Sequence, residues 1–367
     1  MSPTNPELRQ FITQFFNDEE LETLCFDYFP EALNDFGGGM SKNRKVMRLI
    51  EYCVNRDKLN ELNTALFHER QDVYWERFHQ IPDKIEDVDR YVEWLKSLPD
   101  KVFPGKITQG PPPKPDSRIH EKTGIELVRV PAGPFFYGSS ENDPMAKDNE
   151  KPQRTIDLPE YLIGLTPVTN AQFSEFIQVT GYITTAEQRG HGWGWTGIRW
   201  DNIPNAQWRQ PRGLGSSIAG KENHPVVQVS WKDAKAFCEW AELVLPREEE
   251  WEKAARGKDT RIWPWGNDLP TSHHCNFNRN IGGTTPVGRY SPIGDSPYGC
   301  TDMAGNVWEW TESQYENETM QIMYVLRGGS WDYNQRFVRV SARSKHFPDF
   351  SSISRGFRVA AQIDTDS

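Results

Sequence analysis

The stretch that decides the fold is Asp302-Met303-Ala304-Gly305-Asn306-Val307-Trp308-Glu309-Trp310, and two glycine-containing blocks follow it. These are Leu326-Arg327-Gly328-Gly329-Ser330-Trp331 and, near the end of the chain, Gly356-Phe357-Arg358. Glycine and asparagine favour tight turns, while tryptophan supplies a large apolar surface in few residues. Short apolar runs between such turns predict a loop-rich α+β domain with few regular elements for its length.

The composition of the chain excludes several classes of protein. It has 367 residues, 42 Lys and Arg against 52 Asp and Glu, and a formal charge of −10, so we expect two or three acidic domains. This charge argues against nucleic acid as a partner. No apolar stretch is long enough to predict a membrane span, and the N-terminus lacks the layout of a secretory signal. Five scattered cysteines without a C-x-x-C pair indicate reduced thiols, so we expect a cytoplasmic location.

The chain is predicted to divide into two domains. Residues 1–98 carry apolar residues at helical spacing, and helices this short persist in water only when they pack together as a bundle. The composition changes at Gly110-Pro111-Pro112-Pro113-Lys114-Pro115, which favours an extended spacer. We therefore place a linker at 99–118 and a second domain at 119–363, with helices at 170–179, 231–243 and 247–256.

The second domain resembles the formylglycine-generating-enzyme (sulfatase-modifying-factor) family across nearly all of 125–361. The resemblance implies a variant of the C-type lectin fold, with a small twisted antiparallel sheet, flanking helices and extensive coil. Besides the blocks quoted above, the matching segments include Val130-Pro131-Ala132-Gly133, Thr166-Pro167-Val168-Thr169-Asn170, His224-Pro225-Val226-Val227, Glu250-Trp251-Glu252-Lys253-Ala254-Ala255-Arg256-Gly257 and Trp263-Pro264-Trp265-Gly266-Asn267.

The enzymes of that family oxidise a cysteine of a sulfatase, using a copper-binding cysteine pair that lies between the Gly-Gly-Ser block and the next Arg. Thiolates suit this chemistry because Cu(I) is a soft metal. Here that segment runs from Trp331 to Arg339, and there is no cysteine from 301 to the C-terminus. We therefore expect a protein that is not an enzyme and requires no cofactor. A formylglycine-generating-type oxidase, or another enzyme on the same scaffold, is the alternative.

The segment 326–359 resembles the variable region of proteins diversified by diversity-generating retroelements, which use the same lectin-like fold. Adenine-specific mutagenesis of an AAC or AAT codon cannot produce Lys, Gln, Glu, Met or Trp, and none of these occurs at the positions that the pattern makes mutable. Gln335 and Arg355 depart from the usual residues of the pattern. Its fixed positions, laid on this chain without a gap, are Arg336, Val338, Arg339, Arg343, Pro348, Asp349 and Gly356-Phe357-Arg358.

The mutable positions are the predicted ligand-binding residues. Aromatic rings supply contact area at low entropy cost, while Asp, Asn and Ser supply adaptable hydrogen bonds, so we expect a protein or other macromolecular ligand. We expect Phe347 and Phe350 to be exposed, and Phe357 to lie in the core. The mutable positions are Asp332, Tyr333, Asn334, Phe337, Ser344, His346, Phe347, Phe350, Ser352, Ile353 and Ser354.

The resemblance also implies a calcium site. Family members bind calcium near the Gly-Asn-Val-Trp-Glu block, and the Asn306 side chain, the Val307 carbonyl and Glu309 offer the hard oxygen ligands that this ion prefers. The alternative is that Asn306 holds a turn and Glu309 pairs with an arginine. The fixed arginines are expected to pair with carboxylates and brace the irregular loops. They are Arg327, Arg339, Arg343 and Arg358.

A tryptophan-rich insert begins at Gly190-His191-Gly192-Trp193-Gly194-Trp195 and continues to Trp200 and Trp208. One interpretation is a ligand platform. We favour the other, in which the rings form a small core that substitutes for missing secondary structure.

Residues of about 5–80 resemble the effector-associated, death-fold-like adaptor domains of bacterial signalling and conflict proteins. The resemblance is carried by Phe16-Asn17-Asp18-Glu19-Glu20-Leu21, Leu24-Cys25-Phe26-Asp27-Tyr28-Phe29-Pro30 and Leu49-Ile50-Glu51-Tyr52-Cys53. It implies pairing with a signalling partner or with copies of itself, whereas the alternative is a bundle that only packs on the second domain or forms homo-oligomers. Together these features predict a non-enzymatic binding protein with a retroelement-diversified C-terminal surface and an N-terminal adaptor. An undiversified regulatory or structural family member is the second alternative.

Overall fold

A computed structural model describes residues 5–16, 18–33, 40–56 and 116–363, with gaps at 197–198 and 316–320, and also residues 36, 58, 59, 62 and 66. The chain divides into two compact units, Met1–Trp94 and Leu95–Ser367. Residues 99–115 of the predicted linker lie outside the described residues, as do the helical stripes predicted beyond residue 66. No helix in the described part is long and apolar enough to cross a lipid bilayer.

The described part of the first unit is helical, as its sequence pattern predicts. It contains α1 (Asn5–Phe15), α2 (Asp18–Tyr28), α3 (Pro30–Leu33) and α4 (Lys42–Asn55). Polar contacts join neighbouring helices: the Lys45 ammonium lies 2.6 Å from Glu22, and the Tyr52 hydroxyl donates to Glu31 at 3.0 Å. The apolar stripes meet in one buried core, which includes Leu8, Phe11, Ile12, Leu21, Leu24, Val46, Leu49 and Cys53.

The second unit alternates short strands with short helices. Its strands are β1 (Ser117–Ile119), β2 (Glu126–Val130), β3 (Gly133–Tyr137), β4 (Arg154–Leu158), β5 (Tyr161–Gly164), β6 (His191–Trp195), β7 (Trp200–Pro204), β8 (Trp308–Gln314), β9 (Tyr324–Arg327), β10 (Arg343–His346), β11 (Arg355–Phe357) and β12 (Ala360–Gln362). Its α-helices are α5 (Asn170–Thr180), α6 (Thr185–Arg189), α7 (Trp231–Ala241) and α8 (Glu248–Arg256). The three longer helices confirm those predicted from the sequence.

Two four-stranded sheets and two hairpins organise this unit. The first sheet has the order β1-β2-β5-β12, the second has the order β10-β9-β8-β11, and β3-β4 and β6-β7 are hairpins. The predicted antiparallel arrangement holds for every pair except β11 and β8, which run parallel. The last strands of the chain therefore join both sheets, and the loops between β9 and β11 lie beside the second sheet.

Helix starts in this unit follow local chemistry. The Thr169 hydroxyl accepts from the backbone N–H of Gln172, and the Gln172 side chain accepts in return from the Thr169 N–H, so α5 begins with a capping box. Ser230 and Asp233 cap α7 in the same way. Helix α5 then ends at Gly181, whose φ of 66° is left-handed and strongly favours glycine.

An aromatic core holds these elements together. The Phe357 ring lies 5.3 Å from Phe237 and 6.3 Å from Phe173, and Phe173 in turn contacts Trp208 at 5.4 Å. Phe357 is fully buried, as we expected. Trp208 is also buried, which confirms the small-core interpretation for that tryptophan.

The fixed arginines brace the loops through carboxylates, as the sequence predicts. Arg358 donates to both oxygens of Glu309 at 2.6 and 2.7 Å and also reaches the carbonyls of Gly164 and Thr301. Each of these arginines combines a carboxylate partner with backbone carbonyls, so it joins separate segments of the chain. The remaining pairs are Arg327 with Glu252, Arg339 with Glu150 and Asp143, and Arg343 with Glu248.

Replacing Arg358 by Met is expected to destabilise the protein by about 3–5 kcal/mol, because it leaves the buried Glu309 carboxylate without its partner. The measurement is urea unfolding followed by tryptophan fluorescence. Arg118→Met is the matched control, since Arg118 is exposed on β1, and it should change the free energy of unfolding by less than about 0.5 kcal/mol. Equal losses in both variants would contradict a bracing role for Arg358.

Candidate ligand-binding surface

Eight of the predicted mutable positions reach the surface of the second unit. Phe347 is exposed, with 38% of its surface accessible, and the other seven are partly buried. Ser344 and His346 lie on β10, and the other six lie in the loops on either side of it, between β9 and β11. We call this set the candidate face; it comprises Asp332, Tyr333, Asn334, Phe337, Ser344, His346, Phe347 and Phe350.

The other three mutable positions, Ser352, Ile353 and Ser354, are buried, which corrects their assignment as surface residues. Hydrogen bonds hold this segment from several directions. The Ile353 N–H donates to the Trp193 carbonyl at 3.0 Å, and the Ser352 carbonyl accepts from the Gln228 N–H at 2.9 Å. The Ser354 carbonyl accepts from the Trp308 N–H at 2.9 Å. Residues 352–354 are therefore part of the frame beneath the candidate face.

One aromatic cluster of the candidate face rests on the core. The Tyr333 ring lies 5.0 Å from Phe337 and 5.6 Å from the buried Trp308, edge-on in both cases. Burial raises the pKa of the Tyr333 hydroxyl, so it is a neutral hydrogen-bonding group at pH 7. The Lys147 ammonium lies 4.4 Å from the centre of the Phe337 ring. These two rings are anchored on one side and accessible on the other.

A second cluster is more open. The His346 imidazole stacks on Phe350 at 3.5 Å between centroids, and it also meets the exposed Phe347 edge-on. Burial, reinforced by the positive charge of Arg355, lowers the pKa of His346 to about 4. His346 is therefore an uncharged aromatic ring at pH 7, and this cluster presents a mainly apolar surface.

The hairpin β6–β7 borders the second cluster, which the sequence analysis did not predict. Trp193 lies 6.0 Å from Phe350, and Trp200 lies 6.5 Å from Trp331, while Trp195 stacks edge-on against Trp200. These three tryptophans are only partly buried although they contact other rings, so the small core predicted for them is open on one side. The signal was the alternation of Gly and Trp from Gly192 to Trp195, which is typical of a strand with one aromatic face.

A fixed position tethers the loop that carries Phe347 and Phe350. The Arg189 guanidinium pairs with the Asp349 carboxylate and also donates to the Asp349 carbonyl at 2.8 Å. The Pro348 carbonyl accepts from the Lys232 N–H at 3.1 Å. The loop backbone between the exposed Phe347 and the partly buried Phe350 is thus held in place.

The expected calcium ligands have other partners. Glu309 is buried, and its two oxygens accept from Arg358, while Trp251 also donates to one of them at 2.6 Å. The Asn306 side-chain oxygen accepts from the Thr285 N–H at 3.0 Å and from the Asn276 side chain at 3.3 Å. Asn306 has a left-handed φ of 62°, typical of a turn. The geometry at Asn306, Val307 and Glu309 therefore does not fit a calcium site, and the expectation is corrected to the turn and ion pair.

None of the five cysteines is a residue of the candidate face. All five are buried and lack disulfide bonds, at positions 25, 53, 238, 275 and 300. Burial raises the pKa of the Cys300 thiol to about 11, which keeps it protonated and unsuited to hold a metal at neutral pH. The segment from Trp331 to Arg339, where the family's copper-binding pair would lie, offers Asp, Tyr and Asn instead.

Residues 113–363 match the model of the sulfatase-modifying factor enzyme 1-like domain. The chain belongs to this family. Residues 8–70 match the model of effector-associated domain 7, so the N-terminal unit carries that domain. These matches agree with the fold class expected from the sequence, an N-terminal helical bundle followed by a lectin-like domain of the formylglycine-generating-enzyme type.

Relatives in the family include active and inactive members. The chain is 37% identical over 287 residues to a formylglycine-generating enzyme of Thermomonospora curvata, covering 64% of this chain and 93% of that protein. It is also 37% identical over 271 residues to an inactive C-alpha-formylglycine-generating enzyme 2 of Bos taurus, covering 65% and 88%. Family membership by itself therefore does not decide whether this chain is an enzyme.

Solved structures share the fold of the second unit. PvdO from Pseudomonas aeruginosa is 22% identical, with a TM-score of 0.57 and coverage of 68% of this chain and 99% of that one. Treponema denticola variable protein 1 is 20% identical, with a TM-score of 0.48 and coverage of 68% and 100%. The first likeness supports the fold, and the second is too low to support a function.

The pKa of His346 can be measured by NMR from the ring Cε1–H signal. We expect a value of about 4, below the ordinary 6.5. As the pH falls from 7, the unfolded chain takes up this proton before the folded one, so the contribution of His346 to stability is complete above about pH 6.5 and declines toward pH 4. Arg355→Met should raise the pKa, because it removes a nearby positive charge. An unchanged pKa in that variant would contradict the placement of Arg355 near the ring.

Proposed function

We propose that the protein is a non-enzymatic binding protein whose candidate face is diversified by a retroelement and recognises a protein or other macromolecule. The observation that carries this proposal is the separation between two kinds of position in 326–359. Fixed Arg327, Arg339 and Arg358 are buried and ion-paired, whereas most mutable positions are accessible. A frame of this kind tolerates side-chain replacement at its surface, because its stability depends on other residues.

The chemistry of the candidate face supports macromolecular recognition. Rings of Tyr333, His346, Phe347 and Phe350 present rigid contact area, while Asn334 and its polar neighbours supply hydrogen bonds. Trp308 packs beneath one cluster and Trp193 beside the other. Because these contacts already restrict the rings, less conformational entropy is lost when a partner binds. Surfaces of this composition are typical of protein-binding loops.

The N-terminal unit is proposed to connect binding to a signalling partner or to other copies of the domain. A groove of about 710 Å³ is lined by residues of α1 and α4, with Met47 and Ile50 among its apolar residues and Arg9 and Glu51 among its charged ones. Apolar and charged groups on one helical surface suit pairing between small helical domains. We also propose a cytoplasmic location, which the disulfide-free cysteines support.

An oxidase of the formylglycine-generating type is the second candidate, favoured by 37% identity to an enzyme of that name. Such an oxidase requires a copper-binding thiol pair. The corresponding segment of this chain, from Trp331 to Arg339, contains no cysteine. Incubation with Cu(I), oxygen and a sulfatase-derived cysteine peptide is expected to give no aldehyde by mass spectrometry. Copper-dependent aldehyde at catalytic turnover would overturn the binding proposal.

Diversification is tested in the gene. We expect a reverse transcriptase gene nearby, together with a template repeat that differs from codons 332–354 only at adenines. Sequencing many isolates should give substitutions concentrated at the candidate face, with Arg327, Arg339 and Arg358 unchanged because they brace the fold. An even spread of substitutions along 326–359, or the absence of a template repeat, would favour an undiversified family member.

The free energy of unfolding should depend on the buried positions and little on the candidate face. Phe347→Ala is expected to change the free energy of unfolding by less than about 1 kcal/mol, and Phe357→Ala to cost about 3–5 kcal/mol, because only the second ring is in the core. Ser352→Tyr should cost about 1–3 kcal/mol by overpacking a buried site. Urea unfolding measures all three. A Ser352→Tyr variant as stable as the unmodified protein would show that position 352 can belong to a tolerant surface after all.

A further inference from the structure

One buried arginine of the second unit lacks the ion pair that the others have. Arg355 is 8% exposed, and no carboxylate of the described residues lies within salt-bridge distance of it. Its buried Nε has no hydrogen-bond acceptor in the described part of the chain. The buried arginines that do have a carboxylate partner are Arg256, Arg327, Arg339 and Arg358.

Arg355 lies directly beneath the candidate face. Its guanidinium carbon is 4.6 Å from the centre of the Phe350 ring, which stacks on His346. Asp332 and Tyr333 are near enough to favour its charged form, while burial lowers the pKa of the Arg355 guanidinium. Arginine nevertheless keeps its charge in proteins, so a cation without a carboxylate at salt-bridge distance lies among four positions of the candidate face.

We propose that Arg355 binds a carboxylate of the ligand, supplied by an acidic side chain or the C-terminus of a protein partner. This inference rests on the function proposed above. A buried guanidinium without a partner is costly, and a carboxylate matches its donors in a bidentate geometry. The aromatic rings of Tyr333 and Phe350 exclude water around such a pair, which strengthens it.

Asp332 is the carboxylate of this chain that could pair with Arg355 in place of a ligand carboxylate. Its carboxylate accepts from the Ser330 hydroxyl at 2.7 Å and does not reach salt-bridge distance of Arg355. Burial raises the pKa of Asp332, although Arg355 and Arg279 both oppose this. Asp332 is a mutable position and Arg355 is not, so a carboxylate at 332 would be absent from most versions of the face. The ligand carboxylate would be recognised by all of them.

The test follows the Nε–Hε signal of Arg355 in the full chain labelled with ¹⁵N-arginine. The signal is assigned by its loss in Arg355→Lys. Benzoate serves as the probe, benzamide as its uncharged counterpart and inorganic phosphate as a second anion. We expect benzoate to shift the signal saturably, with a dissociation constant at least about tenfold below that of benzamide. Arg118→Met, an exposed control, should bind benzoate as the unmodified protein does.

The Asp332→Asn variant separates ligand binding from internal pairing. Removal of the nearby negative charge should tighten benzoate binding by about threefold or more. A benzoate response that is absent, equal to that of benzamide or confined to Asp332→Asn would overturn the proposal, the last because Asp332 would then be the natural partner. Phosphate binding about tenfold tighter than benzoate would replace the carboxylate by a phosphate group.

This titration is independent of diversification. Benzoate can bind Arg355 in a chain whose gene shows no adenine-directed substitutions, and in that case the proposed function fails while the anion site stands. The opposite result, a diversified gene and no benzoate response, leaves the proposed function intact and removes the role of Arg355.

Discussion

The ion pair between Arg358 and Glu309 is the contact on which the second unit depends. It joins the C-terminal segment to β8, and the same guanidinium reaches the carbonyls of Gly164 at the end of β5 and of Thr301 in the loop before β8. A loop-rich fold has few ladders to satisfy its backbone groups, so arginine donors take over that task where strands and helices are absent. The charge is stable in the interior because the carboxylate partner and the carbonyls surround it together.

A frame that depends on buried contacts places few requirements on the side chains at the surface. Backbone positions in 326–359 are set by buried arginines, by the Phe357 core contact and by the hydrogen bonds of Ser352 and Ile353 to β6 and its neighbours. The exposed Phe347 side chain contributes little to that arrangement, so under the proposed function its identity is open to selection by a ligand. The same argument accounts for a family that contains both enzymes and an inactive member: one frame can carry different chemistry in its loops.

The sequence predicts the frame better than the surface. Apolar spacing and capping residues are local, and the helices at Asn170–Thr180 and Trp231–Ala241 follow from them. The arginine pairs were predicted because a buried guanidinium requires a carboxylate, even though the partner's identity was not. Burial of Ser352–Ser354 was not predicted, because it depends on pairing with Trp193, about 160 residues away, and polar serines give no sign of it. Glu309 likewise has its partner outside its own block, in Arg358, 49 residues further along the chain, so its carboxylate is not available to calcium.

Arg355 is the exception among the buried arginines of the described residues. In a domain where the other deeply buried arginines are neutralised, an unneutralised one cannot be explained as a brace. It lies on β11, the parallel edge strand, so its backbone is fixed by the frame while its side chain reaches the rings of the candidate face. Under the function proposed above, a fixed charge beneath replaceable side chains would divide recognition into two parts. The charge would attract and orient one class of ligand group, and the surrounding side chains, by fit or by clash, would choose among the ligands that carry it.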